Sequence, residues 1–196
     1  MDLLTQLNWR YAVKEFDTTK KLSEEQWAML REVLRLSPSG YGLQPYKFVV
    51  VQNAELRVKL REASYGQPKV TDASHFIVPC RLDKTDSAHV EKFVALNAAV
   101  RGQDLTSLEE FKGMLLGFAT GLSPENFAVW AEKQVYLAVG NLLTSCAVLG
   151  IDAGPMEGLN PQKYDEILEL PAKGLCAATV AVAIGMRSEA DSYATL

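Results

Sequence analysis

Ser123-Pro124-Glu125-Asn126, continuing FAVWAEKQVYLAVGNLLTSCAVL to Gly150, is the clearest helix in the chain. Ser123 stands at the N-cap, where its side-chain oxygen can accept a first-turn amide. Pro124 takes the first helical position, where a missing N–H costs nothing. Gly150 is a C-terminal stop. Between them Phe127, Val129, Trp130, Val135, Tyr136, Leu137, Val139, Leu142, Leu143 and Val148 leave little polar circumference. A helix apolar on most sides must be covered on most sides. In a chain of 196 residues, part of that cover is expected from a second subunit.

Outward from this helix the elements are shorter. Residues 2–9 read as a helix stopped by the Arg10 segment. Ser23 and Gln26 form a capping box ahead of Trp27, Leu30, Val33 and Leu34, and Pro38 disfavours helix at Ser37. Phe48 to Val51 and Phe76 to Val78 read as buried strands; residues 54–63 and 87–101 read as helices. Asn160-Pro161 opens another helix, and Ala177 to Ile184 reads as one central strand. Few strands against several helices predict an α+β sandwich with helices on both sheet faces, built as a single domain over residues 1–196.

Composition narrows the function classes. Apolar residues at 48% and charged residues at 22% place the chain among ordinary globular proteins. A net charge of −4 gives no electrostatic case for nucleic acid or an anionic membrane as partner. No apolar run is long enough to span a bilayer, and Met1-Asp2-Leu3-Leu4 lacks the basic region of a signal peptide. Cys80, Cys146 and Cys176 sit in apolar surroundings without ligand spacing, so they read as buried, reduced thiols of a cytoplasmic protein. His75 and His89 lie in different segments and form no metal cluster. No phosphate loop, dinucleotide glycine motif or nucleophile elbow is present. Asp72, Ser74 and His75 are close in sequence, but such neighbours do not generally face each other as a triad requires.

Four loop-like segments interrupt the apolar elements. Arg10-Tyr11-Ala12-Val13-Lys14 offers a guanidinium fork and an ammonium, suited to a phosphate or to plain surface solvation. Ser37 to Pro45 holds two glycines that would let backbone amides approach a flat ligand, or is an ordinary helix-to-strand connection. Gln67 and Lys69 could address a heterocycle edge, or be a turn residue and a surface charge. Gly154-Pro155-Met156-Glu157-Gly158 could expose amide hydrogens, or be a simple turn.

Taken in order, these segments resemble the nitroreductase family. Arg10-x-x-x-Lys14 with Phe16 is similar to its R-x-S-x-R/K-x-F opening. Ser37-Pro38-Ser39 with Gln44-Pro45-Tyr46-x-Phe48 resembles its S-P-S loop and Q-P-W-x-F strand, and Pro155-x-Glu157-Gly158 its P-x-E-G segment. Lys69 to His75, Lys133 to Asn141 and Ala183-Ile184-Gly185 resemble further blocks, so the likeness spans residues 9–196. It is nearest the oxygen-insensitive, dihydropteridine-reductase-like branch.

The resemblance implies a nitroreductase-like sandwich around a mostly antiparallel sheet, in a homodimer of domain-swapped type. It implies FMN as cofactor, NADH or NADPH as donor, and a small-molecule acceptor such as a nitroaromatic or quinone. Arg10, with Tyr11 and Ala12, would meet the FMN phosphate, and Lys14 the N1 and C2 carbonyl edge. Pro38, Ser39 and Gly40 would come from the partner subunit to the ring, and Gln67 and Lys69 would reach the ribityl or pyrimidine part. Pro155, Met156, Glu157 and Gly158 would present amides to N5 and O4. No side chain is implied as nucleophile or metal ligand; Lys14 and Glu157 tune or position the flavin. A related flavin or enone reductase, and an FMN-holding dimer with little turnover, are the alternative readings. Ala12 departs from the family's hydroxyl residue, and the family's basic K-x-R tail does not follow Ala194-Thr195-Leu196, from which weaker FMN binding or a shortened chain is expected.

Overall fold

The computed structural model describes residues 2–195; Met1 and Leu196, on which the expectations about leader and tail rest in part, lie outside them. In chain order the helices are α1 (Leu3–Trp9), α2 (Glu24–Arg35), α3 (Ala54–Glu62), α4 (Lys69–Asp72), α5 (Ser87–Arg101), α6 (Glu109–Gly121), α7 (Pro124–Val148) and α8 (Pro161–Leu168). The strands are β1 (Tyr46–Val50), β2 (His75–Leu82), β3 (Asp152–Met156), β4 (Leu175–Ala177) and β5 (Ala181–Gly185). Caps fall where the side chains allow them. Ser23 and Gln26 close a reciprocal capping box on α2, and Ser123 accepts the Asn126 amide at 3.3 Å on α7.

The sheet runs β1-β2-β5-β3 with every pairing antiparallel, and β4 also pairs with β2. Its two faces bury alternate residues, as the two-residue period of a strand requires. Phe76, Val78 and Cys80 of β2, with Ala181 and Ala183 of β5, pack on one side against Leu60 of α3 and Tyr164 of α8. Ile77, Val182 and Ile184 pack on the other side against Trp27 and Leu30 of α2 and Val135 and Leu142 of α7. A third cluster, Val90, Val94, Leu115 and Ala119 of α5 and α6, covers Leu43 and reaches Trp130. Among the described residues, no helix is long and apolar enough to cross a membrane.

Two local expectations change. The run Ala177–Ile184 is not one strand. Cys80 faces Ala177 while Ile77 faces Val182, so three steps along β2 span five along its neighbour. The surplus is a bulge at Ala178–Val180, entered where the Ala178 amide donates to the Pro79 carbonyl. Gly154-Pro155-Met156 is not a turn but the end of β3. Pro155 is tolerated there because β3 is an edge strand.

Candidate functional site

After α1 the chain runs extended rather than turning. The Val13 amide donates to the Ala153 carbonyl of β3 at 3.2 Å, the Asp17 amide to the Met186 carbonyl at 2.9 Å, and Phe16 bridges Arg187. Residues 10–17 therefore form a strap laid along the β3 edge. The fit depends on Gly154: a Cβ there would lie 2.5 Å from the Val13 carbonyl oxygen. Arg187 locks the beginning of the strap. Its guanidinium pairs with buried Asp152 at 2.6 Å and lies 4.2 Å from the Trp9 ring centroid and 4.6 Å from that of Tyr11.

Lys14 leaves this strap half-buried, and Lys69 rises toward it from α4. Lys69 is only 4% exposed and its Nζ donates to the Pro155 carbonyl at 3.4 Å. Burial, and then the neighbouring Lys14 charge, push the Lys69 ammonium down to about 8. Among the described residues, neither of these cations nor Arg10 has a carboxylate within ion-pair distance. The chain's net charge is −4, and these three cations lie on adjoining segments without such partners among the described residues.

Gln67 and Gly158 close the adjoining edge. Gln67 Nε2 donates to the Gly158 carbonyl at 2.7 Å and the Ser64 carbonyl at 3.2 Å. A side chain at position 158 would come within 2.9 Å of that nitrogen. Among the described residues the Glu157 and Gly158 amides find no acceptor. The Glu157 carboxylate accepts the Tyr136 hydroxyl of α7 at 2.7 Å. That hydroxyl also meets the Thr179 hydroxyl at 3.1 Å, and Thr179 donates from both its amide and its hydroxyl to Glu132 at 2.7 Å. Burial, opposed by Thr179 and aided by Glu157, pushes the Tyr136 phenol up. The bulge between β4 and β5 is what carries Thr179 out to this network.

Lys14, Gln67, Lys69, Pro155, Glu157 and Gly158 are thus brought together, with Arg10, Tyr11 and Ala12 beside them on the strap. Met156 is buried in the core. Pro38, Ser39 and Gly40 are placed elsewhere: the Gly40 amide donates to Gln134 of α7 at 2.7 Å, and Ser39 accepts the Gln44 amide at 2.8 Å. Among the described residues no hydrogen bond joins this loop to the strap. Ser74 and His75 do touch, at 3.1 Å, contrary to expectation, but Asp72 binds Thr71 instead and His75 stacks on Trp27. Sequence reasoning missed Tyr136, Thr179, Asp152, Arg187 and Asp191. Their partners lie far away along the chain, and only the buried acid in an apolar strand, Asp152, carried any local signal.

The outer face of α7 is open. Val129 and Leu137 are 55% and 53% exposed, and with Tyr136 they line a groove of about 730 Å³. A second groove of about 630 Å³ runs between α7 and α2, past Met29, Leu36 and Val148.

Three likenesses bear on this arrangement. The chain is 38% identical over 202 residues to "Putative NAD(P)H nitroreductase YfkO" of Bacillus subtilis, covering 95% of this chain and 90% of that protein. It is 39% identical over 171 residues to "Putative NAD(P)H nitroreductase SERP2086" of Staphylococcus epidermidis, covering 85% and 77%. Its fold superposes at a TM-score of 0.82 on a crystal structure described as a "putative nitroreductase in complex with FMN" from Exiguobacterium sibiricum. That match covers 96% of this chain and 90% of the other at 18% identity, a likeness of fold. The profile of the Nitroreductase family matches residues 7–186, which include the strap, α4, α7, β3 and β5. On this match and these relatives, the chain belongs to the nitroreductase family.

Proposed function

We propose that this protein is an FMN-dependent oxidoreductase that works as a homodimer. One observation carries the reading. Among the described residues, a buried Lys69 and a half-buried Lys14 have no carboxylate partners, and the amides of Glu157 and Gly158 find no acceptor. A heterocycle edged with hydrogen-bond acceptors would engage all of these groups at once. The redox chemistry, two electrons accepted from NADH or NADPH and passed to a nitroaromatic, quinone or similar acceptor, is what FMN supplies when bound.

The protein's own part is to hold and bias. Arg10 would take the phosphate through a charge-assisted fork, with Tyr11 and Ala12 lining its approach. Lys14 would set a fixed positive charge against the ring edge that becomes negative on reduction, favouring the reduced state. Gln67 and Lys69 would hold the pyrimidine and ribityl portion, with Gln67 preset by Gly158 and Ser64. Glu157, held by Tyr136, would keep its peptide and that of Gly158 aimed at the opposite edge. Pro38, Ser39 and Gly40, which among the described residues make no hydrogen bond to this protomer's strap, would serve the partner's site, and the exposed α7 face would be the shared surface.

The test is the absorbance spectrum of the purified protein with added FMN, followed by NADH and NADPH oxidation with and without menadione. A bound-flavin spectrum and acceptor-dependent oxidation are expected. Binding without turnover would make the protein an FMN-holding dimer, and no binding would refute the reading.

A further inference from the structure

Beyond Arg187 the chain also holds Lys14, by its backbone and beside its ammonium. Asp191 is 3% exposed. Its Oδ2 accepts the Tyr11 hydroxyl at 3.0 Å, the Lys14 amide at 2.9 Å and the Glu15 amide at 3.2 Å. Its Oδ1 accepts the Tyr193 amide at 3.1 Å. The Tyr193 ring lies 5.3 Å from Lys14 Nζ. Two backbone ties support the arrangement: the Ser188 amide donates to the Glu15 carbonyl at 2.9 Å and the Asp191 amide to the Ser188 carbonyl at 3.1 Å.

One carboxylate oxygen thus gathers three donors from either side of Lys14. The negative charge is spent on peptide N–H groups and a phenol, not on the ammonium. An acid paired with Lys14 Nζ would cancel the charge a ligand needs; an acid aimed at the Lys14 amide fixes the position of that charge and leaves it free. Burial works against the charged form of Asp191, but the amides of Lys14, Glu15 and Tyr193 and the Tyr11 hydroxyl outweigh it and hold the carboxyl below its usual range.

We propose that Asp191 is a positioning residue for cofactor binding: it sets the Arg10–Lys14 strap, and through it the Lys14 ammonium, in the geometry that FMN requires. This rests on the reading of the site as an FMN site. A purely structural clamp would affect folding alone, and its effect on affinity would be independent of Lys14. A positioning residue acts through Lys14, so its effect must depend on Lys14 being there.

The test is a double-mutant cycle on FMN affinity, read by flavin fluorescence quenching with the full-length apoprotein, with thermal midpoints recorded alongside. Asp191→Ala should raise the FMN dissociation constant by about tenfold or more in the Lys14 background, and by only about two- to threefold in the Lys14→Met background. Asp191→Asn should fall between wild type and alanine, since its carbonyl can take the place of Oδ2 while its amide cannot accept from Tyr193. If Asp191→Ala does not fold, Tyr11→Phe removes one donor and leaves the carboxylate, and its loss of affinity should likewise shrink when Lys14 is Met. Equal losses in both backgrounds, or a lowered melting point with unchanged affinity, would overturn the positioning role while leaving the FMN reading intact. Wild-type protein that binds no FMN would overturn both.

Discussion

Replacing Lys69 with Met should make the apoprotein more stable and the cofactor site worse. Lys69 is buried, its ammonium's hydrogen bond to Pro155 is long at 3.4 Å, and the neighbouring charge that acts on it is a second cation, Lys14. Folding carries its ammonium from an ordinary 10.5 down to about 8, which at about 1.4 kcal/mol per tenfold is about 3 kcal/mol against the charged native state. Methionine keeps most of the stem and omits the charge; losing the weak contact with Pro155 offsets at most about 1 kcal/mol. A gain of about 1–3 kcal/mol at pH 7 is therefore expected. The pH dependence follows from which state holds the proton. Between pH 8 and 10.5 the unfolded chain retains it and the native protein has released it, so wild-type stability rises with pH in that window. Below pH 8 both states are protonated and the penalty is complete. The gap between Lys69→Met and wild type should accordingly shrink from pH 7 to pH 10. Urea denaturation of both apoproteins at one protomer concentration measures it. A variant less stable than wild type at pH 7, or a gap independent of pH, refutes the reasoning. The same variant should bind FMN at least about tenfold more weakly, the exchange of stability for function expected at binding sites.

Lys14→Met should lower the midpoint potential of bound FMN by tens of millivolts, on the order of 30 mV per 1.4 kcal/mol for two electrons, in a redox titration against a reference dye; an unchanged potential argues for a solvated surface charge. Gly154→Ala forces Cβ against the Val13 carbonyl oxygen at 2.5 Å and displaces the strap. It should cost about 1–3 kcal/mol of stability by urea titration and weaken FMN binding, and a neutral effect on both would refute the close approach. Leu137→Glu places a charge on the open face of α7 and should convert a dimer to an aggregating or unfolded protomer; a compact folded monomer in sedimentation at low micromolar concentration would count against the shared surface.

The fold was legible wherever a local rule carried it. The capping box at Ser23, the Ser123–Pro124 start of α7 and the Asn160–Pro161 start of α8 depend on residues within one turn, and they stand where expected. The break after Ala177 was not legible, because it depends on how β2 is shared between two neighbours. The run of small and branched residues there is compatible with one strand or two. The end of β3 was misread because Gly154 and Pro155 are turn residues by themselves; only the edge position of β3 makes them strand residues. The candidate site divides the same way. Its cations and glycines could be found from motif order, whereas Tyr136, Arg187 and Asp191 act on partners across the fold and leave no mark in their own neighbourhoods.

The bond from Asp191 to the Lys14 amide joins residues 177 apart, nearly the full length of the chain. Proteins emerge from the ribosome amino end first, at about 5–20 residues per second. The strap is therefore made 177 residues before the carboxylate that holds the Lys14 amide. Both core layers can condense earlier, since α2, α7 and the strands β1 to β5 all precede residue 186. What remains is a long-range loop closure, whose entropic cost grows only slowly with length but which cannot begin before Asp191 exists. A nascent chain that has reached β5 but not Asp191 can hold both core layers and the Val13 bond to Ala153 while the Lys14 amide still lacks its carboxylate.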